Sequence, residues 1–221
     1  MTLTIGIAGG TGALGRGLAA RWASAGIPVR IGSRSAQRGR QAAEDLSAEL
    51  PAGAASVSGG ELSALAGCEV IVLAVPFESA DATVDAVSDA AEGATVISAL
   101  NPLAFDAAGP HAVAIEAGSI AEQVAARLPG ARVTAAFHTV SDRKLAKLDQ
   151  PVDADVPVVG DDEEAVAAVV DLVDRIDGCR GVAAGPLRLA ATLEVITPLL
   201  ISVNKRYRAQ TGIRFSGLDL G

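Results

Sequence analysis

The chain has 221 residues, half of them hydrophobic and only 3% aromatic, with 26 acidic against 18 basic side chains and a net charge of −8. That length allows one large domain, or one domain with a smaller appendage. An acidic chain with few rings neither attracts phosphate backbones and anionic membranes nor stacks bases, so no nucleic-acid or membrane partner is expected.

Thr2 to Ala8 reads as a buried strand, with no basic leader or long apolar run ahead of it. A helix is expected from about Ala13 to Ala25, ended by Gly26. Val29 to Gly32 is the second strand, and a helical stretch from Ala36 to Leu50 stops at Pro51. Ser56 to Ser58 reads as a short strand and Glu61 to Ala66 as a short helix. Val70 to Val75 is uninterrupted apolar sequence, as in a strand covered on both faces of a parallel sheet. A helix over Ala80 to Ala91 and a strand over Thr95 to Ser98 follow. Asn101 to Gly118 reads as irregular. Ser119-Ile120-Ala121-Glu122 forms a capping box that opens a helix to Leu128. Arg132 to Phe137 and Asp155 to Val159 are strands. The acidic run Asp161 to Glu164 starts a helix to Ile176, where the dipole favours acids and no metal site is needed. Val182 to Ala184 is the last strand, and after Gly185-Pro186 a long helix runs to about Arg208. Its most apolar part, Leu193 to Val203, is interrupted by Glu194 and Pro198, so no membrane span is expected. This alternation predicts an α/β fold: a Rossmann-type, doubly wound, mainly parallel sheet over residues 1–186, with a helical segment at 187–221 closing a cleft.

Gly10-Thr11-Gly12-Ala13-Leu14-Gly15 follows the first strand and opens a helix, the context that the dinucleotide fingerprint G-x-G-x-x-G requires. Gly10 is expected to make the tight turn, Gly12 to admit the pyrophosphate, and Gly15 to let the helix pack closely. Where an NAD site places an acid, this chain reads Gly32-Ser33-Arg34, and Arg30 to Arg40 holds four arginines and no acid. Arg34 and Arg38 stand one helical turn apart and suit a 2′-phosphate, with Thr11 and Ser33 adding hydroxyls. NADP is therefore the expected cofactor. Arg30 and Arg40 are assigned to a solvated face. Ala74, Val75 and Pro76, then Ser98 and Ala99, end two strands and should line the ribose and nicotinamide, with Asn101 and Pro102 beside them. Phe77 fits simple loop punctuation as well as a site role.

Acid–base equipment is sparse. His111 and His138 are the two histidines, and Tyr207 is the one tyrosine, far from any Tyr-x-x-x-Lys pair. No metal-ligand spacing and no G-x-S-x-G elbow occur, so no metal is expected. Hydride transfer between two stacked rings needs little beyond placement. His138 follows a strand's carboxyl end and is the catalytic candidate, although a histidine packed at a core edge would read the same. His111 reads as incidental. Lys205, Arg206 and Arg208 close the last helix, either as complements to its dipole or as attraction for an anionic substrate tail. Cys68 and Cys179 lie far apart without C-x-x-C spacing, which suits a reducing cytoplasm.

These segments resemble the NADPH-dependent reductases of coenzyme F-420, the F-420H2:NADP oxidoreductases. The likeness runs through Gly9 to Gly17, Gly32-Ser33-Arg34, Val75-Pro76-Phe77-Glu78 and Asn101-Pro102-Leu103. It continues through Ala136-Phe137-His138-Thr139, Asp155 to Asp162, Ala184 to Leu187 and Leu200 to Tyr207. The resemblance implies hydride transfer between the nicotinamide and the deazaflavin of coenzyme F-420, in homodimers paired through the C-terminal part. Thr11, Ser33, Arg34 and Arg38 would hold the 2′-phosphate. Asn101, Pro102, His138 and Thr139 would face the deazaflavin. Leu189-Ala190-Ala191 departs from the polar stretch that the family carries there, which leaves open an NADPH-dependent carbonyl or imine reductase with His138 as proton source, or a non-catalytic NADP-binding protein.

Overall fold

The computed structural model describes residues 3–218, so the expected strand start at Thr2 lies outside the described residues. Ten strands form: β1 (Ile5–Ala8), β2 (Val29–Ser33), β3 (Val57–Glu61), β4 (Val70–Leu73), β5 (Thr95–Ser98), β6 (Leu103–Asp106), β7 (Gly109–Ala112), β8 (Arg132–Ala135), β9 (Ala154–Gly160) and β10 (Cys179–Gly185). The helices are α1 (Ala13–Ser24), α2 (Ala36–Glu49), α3 (Ala80–Ala91), α4 (Ile120–Arg127), α5 (Asp142–Leu145), α6 (Glu163–Asp174) and α7 (Ala190–Tyr207).

One eight-stranded sheet runs in the order β10-β9-β8-β5-β4-β1-β2-β3. From β3 across to β8 all neighbours are parallel. β9 then runs antiparallel to β8, with β10 parallel to β9. The chain leaves β1 toward β2 and later returns on β1's other side as β4, so a crevice opens between the carboxyl ends of those two strands. Alternate side chains of β4 feed two cores: Val70 and Val72 face α1 and α6 with Ile5, Ile7 and Leu18, while Ile71 and Leu73 face α3 and α4 with Val84, Val87 and Val124. That two-sided burial is why β4 has no polar residue.

The irregular reading of Asn101 to Gly118 misses the hairpin of β6 and β7. Its turn is closed by Asp106, whose Oδ1 accepts from the Ala108 and Gly109 N–H groups at 2.8 and 3.1 Å. Pro102 and Pro110 mask the strand pattern there. The one-turn helix α5 is also missed, being too short to show a period. The long terminal helix begins at Ala190, after a 3₁₀ turn at Leu187–Leu189.

By length and composition Leu187–Tyr207 could cross a membrane, yet its polar residues are used within the fold. Glu194, 1% exposed, accepts from the Ile120 and Ala121 N–H groups at 2.9 and 3.1 Å and so caps α4. Burial lifts its pKa to about 7, against the pull of those two N–H groups. Asn204 Oδ1 accepts from the Thr211 N–H at 2.7 Å, turning the chain back after α7. The returning tail meets β9, where Ile213 bridges Asp155. Asp155, with no exposed surface, accepts from Arg180 at 2.7 and 2.9 Å, Arg214 at 3.1 Å and the Phe215 N–H at 2.6 Å. The Arg180 guanidinium chiefly holds the Asp155 carboxyl below its usual pKa.

Two predictions follow from these anchors. Glu194→Ala should cost about 1–3 kcal/mol, because it leaves two buried N–H groups unpaired; the denaturant midpoint measures it, and an unshifted midpoint contradicts the cap. A depressed carboxylate pKa gives stability that is present above the ordinary aspartate value and lost as pH falls through the folded one. Residues 209–218 should therefore lose amide-exchange protection in that acid range ahead of the sheet, and Asp155→Asn should loosen them at neutral pH. Uniform loss of protection across the chain would contradict this.

Candidate active site

The first turn of α1 lies between two cavities, and among the described residues none lines both. The smaller, about 270 Å³, is bounded by Thr11, Gly12, Ser33, Arg34, Arg38, Ala74, Val75 and Pro76, with Gly9, Gly32, Ser35, Leu62, Ser79 and Thr83 completing it. Eight expected nucleotide-site residues thus meet at the crevice between β1 and β4. The left-handed turn falls on Gly9 (φ +97°), where a Cβ would sit 2.3 Å from the Ala74 carbonyl oxygen. This corrects the turn role expected of Gly10, which instead leaves room for Ile31. Gly12 is the N-cap of α1 and offers no side chain, so the helix's first N–H groups stay open to an anion. At Gly15 a Cβ would stand 2.6 Å from the Gly9 carbonyl oxygen, so the helix packs on the turn as expected.

Arg34 and Arg38 are exposed at this cavity, and among the described residues neither guanidinium meets a carboxylate. Arg30 is committed elsewhere, donating to the Ala64 and Ala66 carbonyls at 2.7 and 3.0 Å. Two unpaired cations beside an open helix N-terminus fit a phosphate on the adenosine ribose. Ala13 faces away, toward a groove with Arg16 and Glu49. Ser98 and Ala99 are buried at the end of β5 and line neither cavity.

The larger cavity, about 690 Å³, joins Leu14 of α1 to Asn101, Phe137, His138 and Thr139, the segment Val140–Arg143, a face of α7, and the tail at Ala209–Thr211. Asn101, His138 and Thr139 thus come together, while Pro102 is buried behind them and its carbonyl receives the Val113 N–H. Leu14, expected at the nucleotide, lies on this side. The α7 face consists of Thr197, Leu200, Ile201, Asn204, Lys205 and Arg208, spaced as one helical stripe. Thr197 Oγ1 lies 2.7 Å from Asn101 Oδ1 and 3.0 Å from the His138 carbonyl oxygen, so its one O–H is shared between two acceptors at the foot of both loops. Sequence reading singled out Lys205 and Arg208 but missed Thr197 as part of this face; the signal was Thr197 and Asn204, polar residues recurring every second turn of an apolar helix. Leu189-Ala190-Ala191, the departure from the family pattern, lines neither cavity.

His138 is 4% exposed, and both ring nitrogens lack a partner of hydrogen-bonding geometry, as does Thr139 Oγ1. Burial brings its pKa down to about 4, with the nearby Leu100 backbone opposing more weakly. Burial thus favours the neutral imidazole near physiological pH and disfavours a charged one. Each orphaned buried polar atom costs about 1–3 kcal/mol, so the fold leaves these two side chains of the cavity wall unsatisfied. Phe137 sets that wall: it adopts φ +71° and packs edge-on against Trp22, ring centroids 5.7 Å apart.

Residues 4–102 match the family model described as NADP oxidoreductase coenzyme F420-dependent. The F420-dependent NADP reductase of Methanothermobacter thermautotrophicus is 37% identical over 224 residues, covering 99% of this chain and 97% of that protein. The reductase of the same description from Methanocaldococcus jannaschii is 36% identical, covering 99% and 100%. A crystal structure from Arthrobacter sp. FB24, described as a candidate F420-dependent NADP-reductase, superposes with a TM-score of 0.80 at 24% identity, covering 96% of this chain and all of that one. The NADPH complex of a reductive aminase from Aspergillus terreus gives 0.64 at 18% identity, covering 94% and 63%. Those two likenesses speak to the fold alone. On the full-length identity to the archaeal reductases, this chain belongs to the F420-dependent NADP reductase family.

Proposed function

We propose that the chain passes a hydride between NADP(H), seated in the smaller cavity, and the deazaflavin coenzyme F-420, seated in the larger one. The nicotinamide supplies or takes the hydride at C4 and the deazaflavin at C5. The carrying observation is the pair of cavities on either side of one helix turn, one with free arginines and one with orphaned polar atoms. Arg34, Arg38, Thr11 and Ser33 hold the 2′-phosphate, and the open N–H groups of α1 face the pyrophosphate. Ala74, Val75 and Pro76 border the ribose and nicotinamide. Asn101, Thr139 and the neutral His138 offer hydrogen bonds to the edge of the deazaflavin ring, with His138 orienting rather than donating a charge. Thr197 keeps Asn101 and His138 in register. Residues 187–221 act as the cleft-closing part. A carbonyl or imine reductase would need a proton donor, a role that burial makes less favourable for the charged form of His138.

Incubating enzyme, NADPH and the oxidised deazaflavin should bleach the deazaflavin absorbance; no bleaching at any pH would reject the reading. Arg34→Ala should raise KM for NADPH by roughly one to two decades, from a lost charge-assisted contact of about 1.5–3 kcal/mol. An unchanged KM would remove the 2′-phosphate assignment.

We further infer a homodimer through α7. Val195 and Leu199, one turn apart, are 55% and 59% exposed, and Phe105 on the adjoining hairpin is also exposed. An apolar helix with that much open surface calls for a partner. Leu199→Glu should give a monomer in sedimentation equilibrium; a dimeric mass retained by that variant would contradict the interface. Cys68 and Cys179 are both unbridged, which supports placing the chain in a reducing cytoplasm.

A further inference from the structure

Helix α2 meets the sheet backbone to backbone. Gly39 is buried on its inner face, and a Cβ there would collide with the Gly60 carbonyl oxygen and stand 2.7 Å from the Gly60 nitrogen. From the strand side, a Cβ on Gly59 would collide with the Gly39 carbonyl oxygen and stand 3.0 Å from the Arg40 nitrogen. These obstacles are main-chain atoms, which cannot swing aside as the tip of a long side chain can. The rest of the buried face of α2 is Ala43 and Leu46. With a single large side chain on that face, the glycine contact sets how closely helix and strand approach. Helix propensity does not explain Gly39, because alanine there would strengthen α2 taken alone.

The contact lies beside the smaller cavity. Arg38, on the cavity lining, directly precedes Gly39. The Gly39 N–H donates to the Ser35 carbonyl at 3.0 Å. Ser35 is the N-cap of α2, with its Oγ 3.5 Å from the Arg38 nitrogen, and it lines the cavity together with Arg34. On the other side, Gly59 and Gly60 of β3 stand in register with Ile31 and Gly32 of β2, just before Ser33. The chain then reaches Leu62, which also lines the cavity. One backbone contact therefore joins the arginine-bearing end of α2 to the strands that form the facing wall.

We propose that Gly39 and the Gly59-Gly60 pair are positioning residues for cofactor choice: their contact holds Arg34, Ser35 and Arg38 at the depth where the two guanidinium groups close on a 2′-phosphate. This rests on the reading of the smaller cavity as an NADP site and extends it from the arginines to the packing that aims them. A charge-assisted fork is strong only in the right geometry. NAD(H) carries a hydroxyl where NADP(H) carries that phosphate, so a displaced α2 penalises one nucleotide and spares the other.

Calorimetric titration with NADP+ and with NAD+ reads this preference directly and needs no acceptor. Gly39→Ala should weaken NADP+ binding by roughly ten-fold, the scale of one charge-assisted contact, and leave NAD+ binding nearly as it was. In that background Arg34→Ala and Arg38→Ala should each cost less than in the wild type, because the guanidinium groups are already off their mark. An equal loss for both nucleotides would mark a merely structural glycine and overturn the positioning role. So would a preference that survives Gly39→Ala, or arginine effects undiminished beside it. Should Gly39→Ala not fold, the wild type decides by amide exchange: residues 37–43 should be protected before any nucleotide is added. Protection that arrives only with NADP+ would overturn the proposal, since the ligand rather than the glycine contact would then seat α2. A wild type without preference for NADP+ would overturn the 2′-phosphate assignment, and the positioning role with it.

Discussion

Helix α1 reaches its place because Gly15 has no side chain: any Cβ there would run into the Gly9 carbonyl. That single close approach sets the helix against the turn after β1, and the rest of the site hangs on the same helix. Thr11 and Gly12 at its start face the smaller cavity and Leu14 faces the larger. One turn on, Gly17 admits α5, and further along Arg21 ties down the loop after it. Trp22 packs on Phe137 and donates to the Leu172 carbonyl at 2.9 Å. A helix pushed outward by one methyl group would shift both cavities together, because the two share this element rather than a hinge.

The local part of this arrangement was readable from the residues. The fingerprint, the arginines after β2 and the apolar run of β4 are contiguous signals, and each marks a wall of the smaller cavity. The bounds of α3 and β5 agree with the reading because Gly and Pro punctuate them cleanly. The capping box at Ser119 is present, with its Oγ accepting from the Glu122 N–H at 3.1 Å. What escaped was assembled over long separations. Glu194 looked like an interruption in an apolar helix, whereas it caps a helix more than seventy residues earlier. Asp155 looked like an ordinary strand residue, whereas it collects two arginines from distant segments. No periodicity reports such partners, since each side chain is satisfied by residues that only the fold brings near. The shift of the tight turn from Gly10 to Gly9 was invisible for a different reason: adjacent glycines allow either to take the positive φ.

Charge in this molecule is sorted by place. Acids dominate the surface at large, yet both cavities present unpaired guanidinium groups, and buried carboxylates serve as internal anchors at Glu194 and Asp155. The two anchors differ in kind. Asp155 is surrounded by cations that keep it ionised, so it behaves as a fixed negative post for the tail. Among the described residues Glu194 has backbone N–H groups as its partners and Glu122 nearby, so its charge sits uneasily near neutrality. His138 belongs to a third category, a titratable group whose charged form burial disfavours and whose ring nitrogens are enclosed.

The antiparallel entry of β9 has a temporal side. Because that strand runs opposite to its neighbour, its amino end lies at the carboxyl edge of the parallel strands, and Ile213, late in the chain, comes back to bridge Asp155 there. Every wall of the smaller cavity is supplied between Gly9 and Thr83, whereas the larger one needs Ala209 to Thr211. On the ribosome, then, the nucleotide's half of the machinery is fully encoded in emerged polypeptide well before the acceptor's half. A nascent or clipped chain lacking its final dozen residues would still own a dinucleotide crevice while having nowhere closed to seat the second ring.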